Sequence, residues 1–171
     1  MGPRSSALQR EIRQRRPFRS ARHEGALGLL RTADLLRRHA SRVVEPHGLT
    51  LQQYNVLRIL RGAGTPGLPT LEIAGRMIEQ SPGITRLLDR LEAKGLVRRE
   101  RCRRDRRQVL CYILPAGLAL LGRLDEAVST IDEAFLGRLS AADVGRLIHL
   151  LDAVRSSHLP SSPRNQTRRE P

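Results

Sequence analysis

The apolar positions of this 171-residue chain fall into helical stripes interrupted once by a strand-like stretch. Over 24–45, Leu29, Ala33, Leu36, Ala40 and Val43 recur at spacings of four and three, one face of an amphipathic helix that Pro46, His47 and Gly48 end. Thr50 with Gln53 predicts a capping box, Leu49 stapled onto Tyr54, and Leu57 and Leu60 extending the apolar face. Gly62, Gly64, Pro66 and Gly67 read as a loop. Thr70 is expected to cap a short helix with Leu71, Ala74 and Met77 or Ile78 inward. Ser81 as N-cap and Pro82 as first helical residue predict the next helix. Its buried face is Ile84, Leu87, Leu88 and Leu91, Gly95 stops it, and Gly83, Thr85, Arg86, Asp89 and Arg90 are left outward.

After Gly95 the period shortens. Val97, an arginine-rich stretch, then Val109, Cys111 and Ile113 alternate as strands do, which predicts a β-hairpin over 97–113 with the arginines at its tip. Pro115 opens a helix whose Leu121, Leu124, Val128, Ile131 and Phe135 form a heptad-like stripe, a core face or a seam for another chain. Ser140 caps a last helix striped by Val144, Leu147, Leu151 and Val154. The fold class is therefore mainly α with a small β-hairpin wing. Two short helices joined by a tight turn and followed by a basic hairpin make a winged helix-turn-helix, a module that places its second helix in the DNA major groove.

Charge sharpens this picture. The chain carries 30 arginines and one lysine (Lys94) against 17 acids, a net charge of +14. Seven arginines lie in 1–22, seven in 98–107 and three in 158–171, leaving the rest nearly neutral. The two ends read as a disordered basic arm and tail. Seven like charges at the wing repel one another, and an anionic partner would relieve that cost. With only Phe18, Tyr54, Tyr112 and Phe135 aromatic, base stacking is a poor binding mode, which favours double-stranded DNA over single strands or RNA. Arginine suits the narrow minor groove, where negative potential concentrates. Gly83 would let a helix N-terminus approach a phosphate, with the Ser81 and Thr85 hydroxyls donating to it.

Other classes fare worse. No run of 18 apolar residues would span a membrane, the N-terminal arginines precede no secretory apolar stretch, and the basic segments lack the aromatic anchors of a membrane-surface binder. Two cysteines make no disulfide framework, which fits a reducing cytoplasm. The acids are scattered or in helix-face pairs such as Asp125-Glu126 and Asp132-Glu133, with no phosphate loop, nucleophile elbow or H-E-x-x-H, so an enzyme is not expected. No cofactor is expected, and His23, His39, His47, His149 and His158 form no close metal-ligand pair. Two alternatives stay open: a nonspecific architectural DNA binder, and a redox-sensing regulator using Cys102, set among arginines, or Cys111.

In LTLQQYNVLRIL (49–60), SPGITRLLDRLEAKGLVRR (81–99) and DRRQVLCYILPAG (105–117) the chain resembles the multiple antibiotic resistance regulator (MarR) family of bacterial transcription regulators. The resemblance implies a dimeric repressor that binds a near-palindromic operator and is released by a small-molecule effector whose site it does not assign. It implies a DNA-binding module over 49–114. Helices over 23–48 and 115–157 would interlock with a second copy, and the stripe residues Leu29, Leu36, Leu121, Leu124, Val128, Ile131, Leu147 and Leu151 would supply that seam. On this reading Leu124→Asp breaks the dimer. Ser81, Gly83, Thr85, Arg86 and Arg90 match the recognition helix. Asp105 and Arg107 match the wing pair, with Arg106 between them, the aspartate holding the arginine side chain for minor-groove entry. Arg103 and Arg104 join them on the DNA side, and the surplus of wing arginines predicts steep salt dependence. One departure is Ile113-Leu114 where the family has Leu-Thr, the loss of an N-cap costing about 1 kcal/mol, partly offset by Pro115.

Overall fold

The computed structural model describes residues 6–79, 83–102, 105 and 107–157. The chain divides into two compact units, 1–131 and 132–171. In the first, Ser20 caps α2 (Ala21–Val44) by accepting from the His23 N–H, and a 3-10 turn, Glu45–His47, leads to Gly48 at φ 73°. The capping box at Thr50 and Gln53 opens α3 (Leu51–Ala63) as expected. Next come β1 (Leu68–Pro69), α4 (Thr70–Arg76), α5 (Ile84–Ala93), β2 (Val97–Arg101), β3 (Val109–Ile113) and α6 (Pro115–Leu136). The sheet order is β1-β3-β2, all antiparallel, with Arg99 opposite Cys111 and Leu68 also opposite Cys111. The strand β1 was not anticipated, because two residues are too few to show a period. The second unit holds the end of α6 and α7 (Ala141–Ser156), capped by Ser140.

The core of the first unit runs from Val44 and Leu49 through Tyr54, Val56, Leu57 and Leu60 of α3 and Ile73 and Met77 beside α4. It continues through Leu87, Leu88 and Leu91 of α5 to Val97, Cys111 and Leu120, Leu121 and Leu124 of α6. Each such leucine contributes about 1.5–3 kcal/mol by leaving water. Leu121 and Leu124 are fully buried here, so their burial needs no second chain, contrary to their reading as a dimer seam.

Three further expectations are corrected. The arm is not wholly disordered: Ser6 caps α1 (Ala7–Glu11), Glu11 pairs with Arg31 of α2 at 2.7 Å, and Leu8 lies over Gly28. A short helix held from outside escapes a reading based on apolar periodicity. α4 is turned differently from expectation: Met77 faces in as expected, but Ile73 and not Leu71 faces in with it, Leu71 being 85% and Ile78 78% exposed. Pro69, not Thr70, is its N-cap, and the Thr70 hydroxyl donates instead to the Val109 carbonyl, tying the helix to β3. α5 starts at Ile84 with Gly83 as its N-cap, two residues later than expected; Ser81 and Pro82, the expected cap and first residue, lie outside the described residues.

Two polar details fix the module. Asn55 is buried, and its Oδ1 accepts the Ile78 N–H at 3.0 Å, which seats the end of α4 on α3. Gly67 sits at φ 68° with the Tyr112 ring where a Cβ would be, 2.6 Å away, so only glycine fits before β1.

Candidate nucleic-acid interface

Leu87, Leu88 and Leu91 pin α5 to the core, and its 3.6-residue period then turns Thr85, Arg86, Asp89 and Arg90 to the surface. This surface has two edges. Asp89 and Glu92 lie toward β2, where Arg99 holds both. The Arg99 backbone N–H donates to Glu92 Oε1 at 2.9 Å, its Nε and Nη2 donate to Oε2 at 2.8 and 2.6 Å, and Nη2 reaches Asp89 at 2.7 Å. Donation to the Glu92 carboxylate raises the Arg99 pKa further, and the side chain is only 24% exposed. Because Asp89 is engaged there, it does not serve Arg90. Among the described residues neither Arg86 nor Arg90 is in an ion pair, and both are exposed. Arg90 and Lys94 border a shallow groove of about 470 Å³ against Gly48 and Thr50 at the start of α3. The Lys94 ammonium donates to the Gly48 carbonyl across it.

At the wing tip Asp105 organises the turn. Its Oδ1 accepts the Arg107 backbone N–H at 3.0 Å, its Oδ2 accepts from the Gln108 amide at 3.1 Å, and its carbonyl accepts the Gln108 N–H. The expected grip of Asp105 on the Arg107 side chain is thus replaced by a grip on its backbone, and the Arg107 side chain is exposed. A carboxylate two residues upstream reaches a backbone N–H without fixing a long side chain, the usual Asx geometry. Arg103, Arg104 and Arg106 lie outside the described residues. Among the described residues, two wing arginines have partners within the chain. Arg99 is bound as above, and Arg98 pairs with Glu100 and lies over the Tyr112 ring at 4.1 Å.

The cysteines do not meet. Cys111 pairs in register with Arg99, three residues before Cys102 on the strand line, so about 10 Å of strand separates them and both are free. Burial pushes the Cys111 thiol pKa up, which makes it unreactive. Of the remaining seam residues, Leu29 and Leu36 are 42% and 41% exposed, Val128 packs partly on the core, Ile131 is buried, and Leu147 and Leu151 are half-buried. Among the described residues no cluster of His, Cys, Asp or Glu could hold a metal, and no helix is long and apolar enough to cross a membrane.

The MarR family model matches residues 49–109, the stretch from just before α3 to the first residue of β3. A protein described as a transcriptional regulator of the hcr operon in Thauera aromatica is 32% identical over 130 residues, 75% of this chain and 77% of that one. The chain belongs to the MarR family. It is a transcription regulator and not an enzyme. A MarR transcription factor from Planctomyces limnophilus is 40% identical, with a TM-score of 0.61, over 80% of this chain and 99% of its own. The fold also matches Sco3205 of Streptomyces coelicolor, a MarR family regulator solved in complex with DNA, at a TM-score of 0.75. That match is 23% identical over 86% of this chain and 94% of the other.

What sequence reasoning missed in this MarR protein is the Arg99–Glu92–Asp89 network. Its only trace in the sequence is two acids three residues apart on one face of α5, followed by an arginine-rich strand; nothing in that pattern says which arginine folds back.

Proposed function

We propose that this MarR regulator is a homodimeric repressor. It reads a near-palindromic operator with α5 of each protomer in a major groove and the wing in the flanking minor groove, and a small-molecule effector releases it. The observation that carries the reading is the surface of α5. Its acids are drawn aside by Arg99, so Thr85, Arg86 and Arg90 project beside a wing whose turn Asp105 stiffens. A major groove about 12 Å wide admits such a helix, and arginines there pair best with guanine edges. Ser81, Arg103, Arg104 and Arg106 are assigned to the same DNA-facing surface by sequence position, Gly83 by its place at the N-cap. Second-copy contact is supported by exposed apolar side chains. On α2 these are Leu29, Leu30 and Leu36; on α7 they are Ile148, Leu150 and Val154. Release needs only a small change in the separation of the two α5 helices, because half-sites about 34 Å apart fix their spacing.

Selection of bound duplexes from a random pool by the purified chain tests this. An inverted repeat is the expected result. Enrichment of no motif, as a nonspecific architectural binder would give, sinks the proposal. Against the enriched duplex, Arg86→Ala should cost about 1–3 kcal/mol and relax preference at one position of each half-site.

Salt titration gives a separate expectation. With Arg98 and Arg99 engaged inside the chain, the log–log slope should fall short of a count of all wing arginines. Arg107→Ala should lower it by about 0.9 per protomer, the signature of one lost phosphate contact. A slope unchanged by Arg107→Ala would remove that residue from the interface.

A further inference from the structure

We infer that Arg99 is a positioning residue for DNA reading. It clamps wing strand β2 to α5 so that helix and wing meet DNA as one rigid unit, and it does not itself contact DNA. The inference rests on the proposed DNA-reading role of α5 and the wing.

The geometry supports a clamp. β2 is an edge strand, paired with β3 on one side only. An edge strand leaves backbone groups without a ladder partner. Here the outward N–H of Arg99 is taken by Glu92 of α5, and the guanidinium adds two bonds to the same carboxylate and one to Asp89, about one turn earlier. A backbone bond and a planar fork together fix the strand's distance from the helix and its rotation, which a point charge would not do. Arg99 also lies on the same face of β2 as Val97, against buried Cys111, so its stem is part of the core edge. To touch a phosphate it would have to leave two carboxylates. The functional consequence follows from binding entropy. A wing already fixed relative to α5 loses little freedom when it enters its groove after the helix has docked, so each contact strengthens the other.

The clamp and a phosphate contact predict opposite signs for one substitution. Glu92→Gln keeps the shape but removes the charge that holds Arg99. If Arg99 were a phosphate ligand, freeing it and deleting a negative charge would tighten binding to every duplex. If it is a clamp, preference for the selected duplex over a random duplex of equal length falls. We expect about a tenfold fall for Glu92→Gln and for Arg99→Lys, which keeps the charge but loses the fork. In the wild-type chain, Arg86→Ala and Arg107→Ala should be strongly non-additive; in the Glu92→Gln background their effects should become additive, a change that lowered stability alone does not produce. Circular dichroism melts confirm that the variants compared are folded, and Glu92→Gln carries the test if Arg99→Lys is not. Tighter binding to both duplexes, an unchanged preference ratio, or a lower melting temperature with unchanged non-additivity each overturn the clamp while leaving the DNA-reading role standing. Failure of the wild-type chain to enrich any motif overturns both.

Discussion

Leu124→Asp should yield a protein that does not fold, not a folded monomer. Leu124 is fully buried in the cluster that joins α6 to α3 and α5, together with Leu57, Leu60, Leu88 and Leu121. Truncating such a leucine to alanine costs about 2–5 kcal/mol through lost burial and the cavity left behind. A carboxylate in its place must also be desolvated without a partner or take up a proton, a penalty of several more kcal/mol. The total approaches the whole stability of an ordinary domain, about 5–15 kcal/mol. Arg61 and Asp125, bonded at 2.8–3.0 Å and half-exposed, hold α3 to α6 from outside but are too solvated to compensate. Far-ultraviolet circular dichroism with a urea titration measures the outcome. A cooperative, near-wild-type transition together with a lower mass than the wild-type protein would show instead that Leu124 belongs to a seam between chains. The contrasting substitution is Leu29→Asp: on an exposed position of α2 it should leave the melt nearly unchanged and shift the mass.

Gly117→Ala should destabilise the chain by about 3 kcal/mol, at the upper end for an overpacked site. A Cβ there would lie 2.5 Å from the Leu96 carbonyl oxygen and 2.8 Å from Ile113 Cγ1. The carbonyl cannot simply retreat, because it accepts the Leu114 N–H at 3.0 Å and so ties the entry of α6 to the start of β2. This is the junction where the sequence lacks the family's threonine cap. No side-chain oxygen is available at Leu114, whose carbonyl accepts the Leu118 N–H. Close approach of the first turn to the strand does the fastening, and only a missing side chain permits it. For a chain of this size the melting temperature should fall by about 2–4 °C per kcal/mol, so by roughly 6–12 °C, measured by calorimetry. A shift within about 2 °C of wild type would mean that the junction relaxes freely.

How much of this was legible in the sequence differs from element to element. The capping box of α3, the glycine stop after α5, the hairpin over 97–113 and the Ser140 cap are local chemistry, decided within a few residues, and the structure has them. The rotation of α4 was not legible, because Leu71, Ile73, Met77 and Ile78 offer two apolar faces in so short a helix. The choice between them depends on Thr70 reaching β3, some forty residues on. Folding of the arm as α1 was equally hidden, since Glu11 has no visible partner until Arg31 is placed beside it. In the candidate site, the exposed arginines of α5 could be read from helical period alone. The assignment of Asp89 and Glu92 to Arg99 could not, because a charge pattern names possible pairs and only the packing of β2 against α5 selects one.

The sequence by itself therefore determined the order of helices from α2 onward, the basic wing and the kinship with a family of transcription regulators, because periodicity, caps and turns are properties of neighbouring residues. Only the tertiary structure decided which leucines form the chain's own core, which wing arginines are consumed within the chain, and what the wing aspartate holds. Those outcomes depend on distances between residues far apart in the chain, and burial and electrostatic pairing are set by such distances and not by composition.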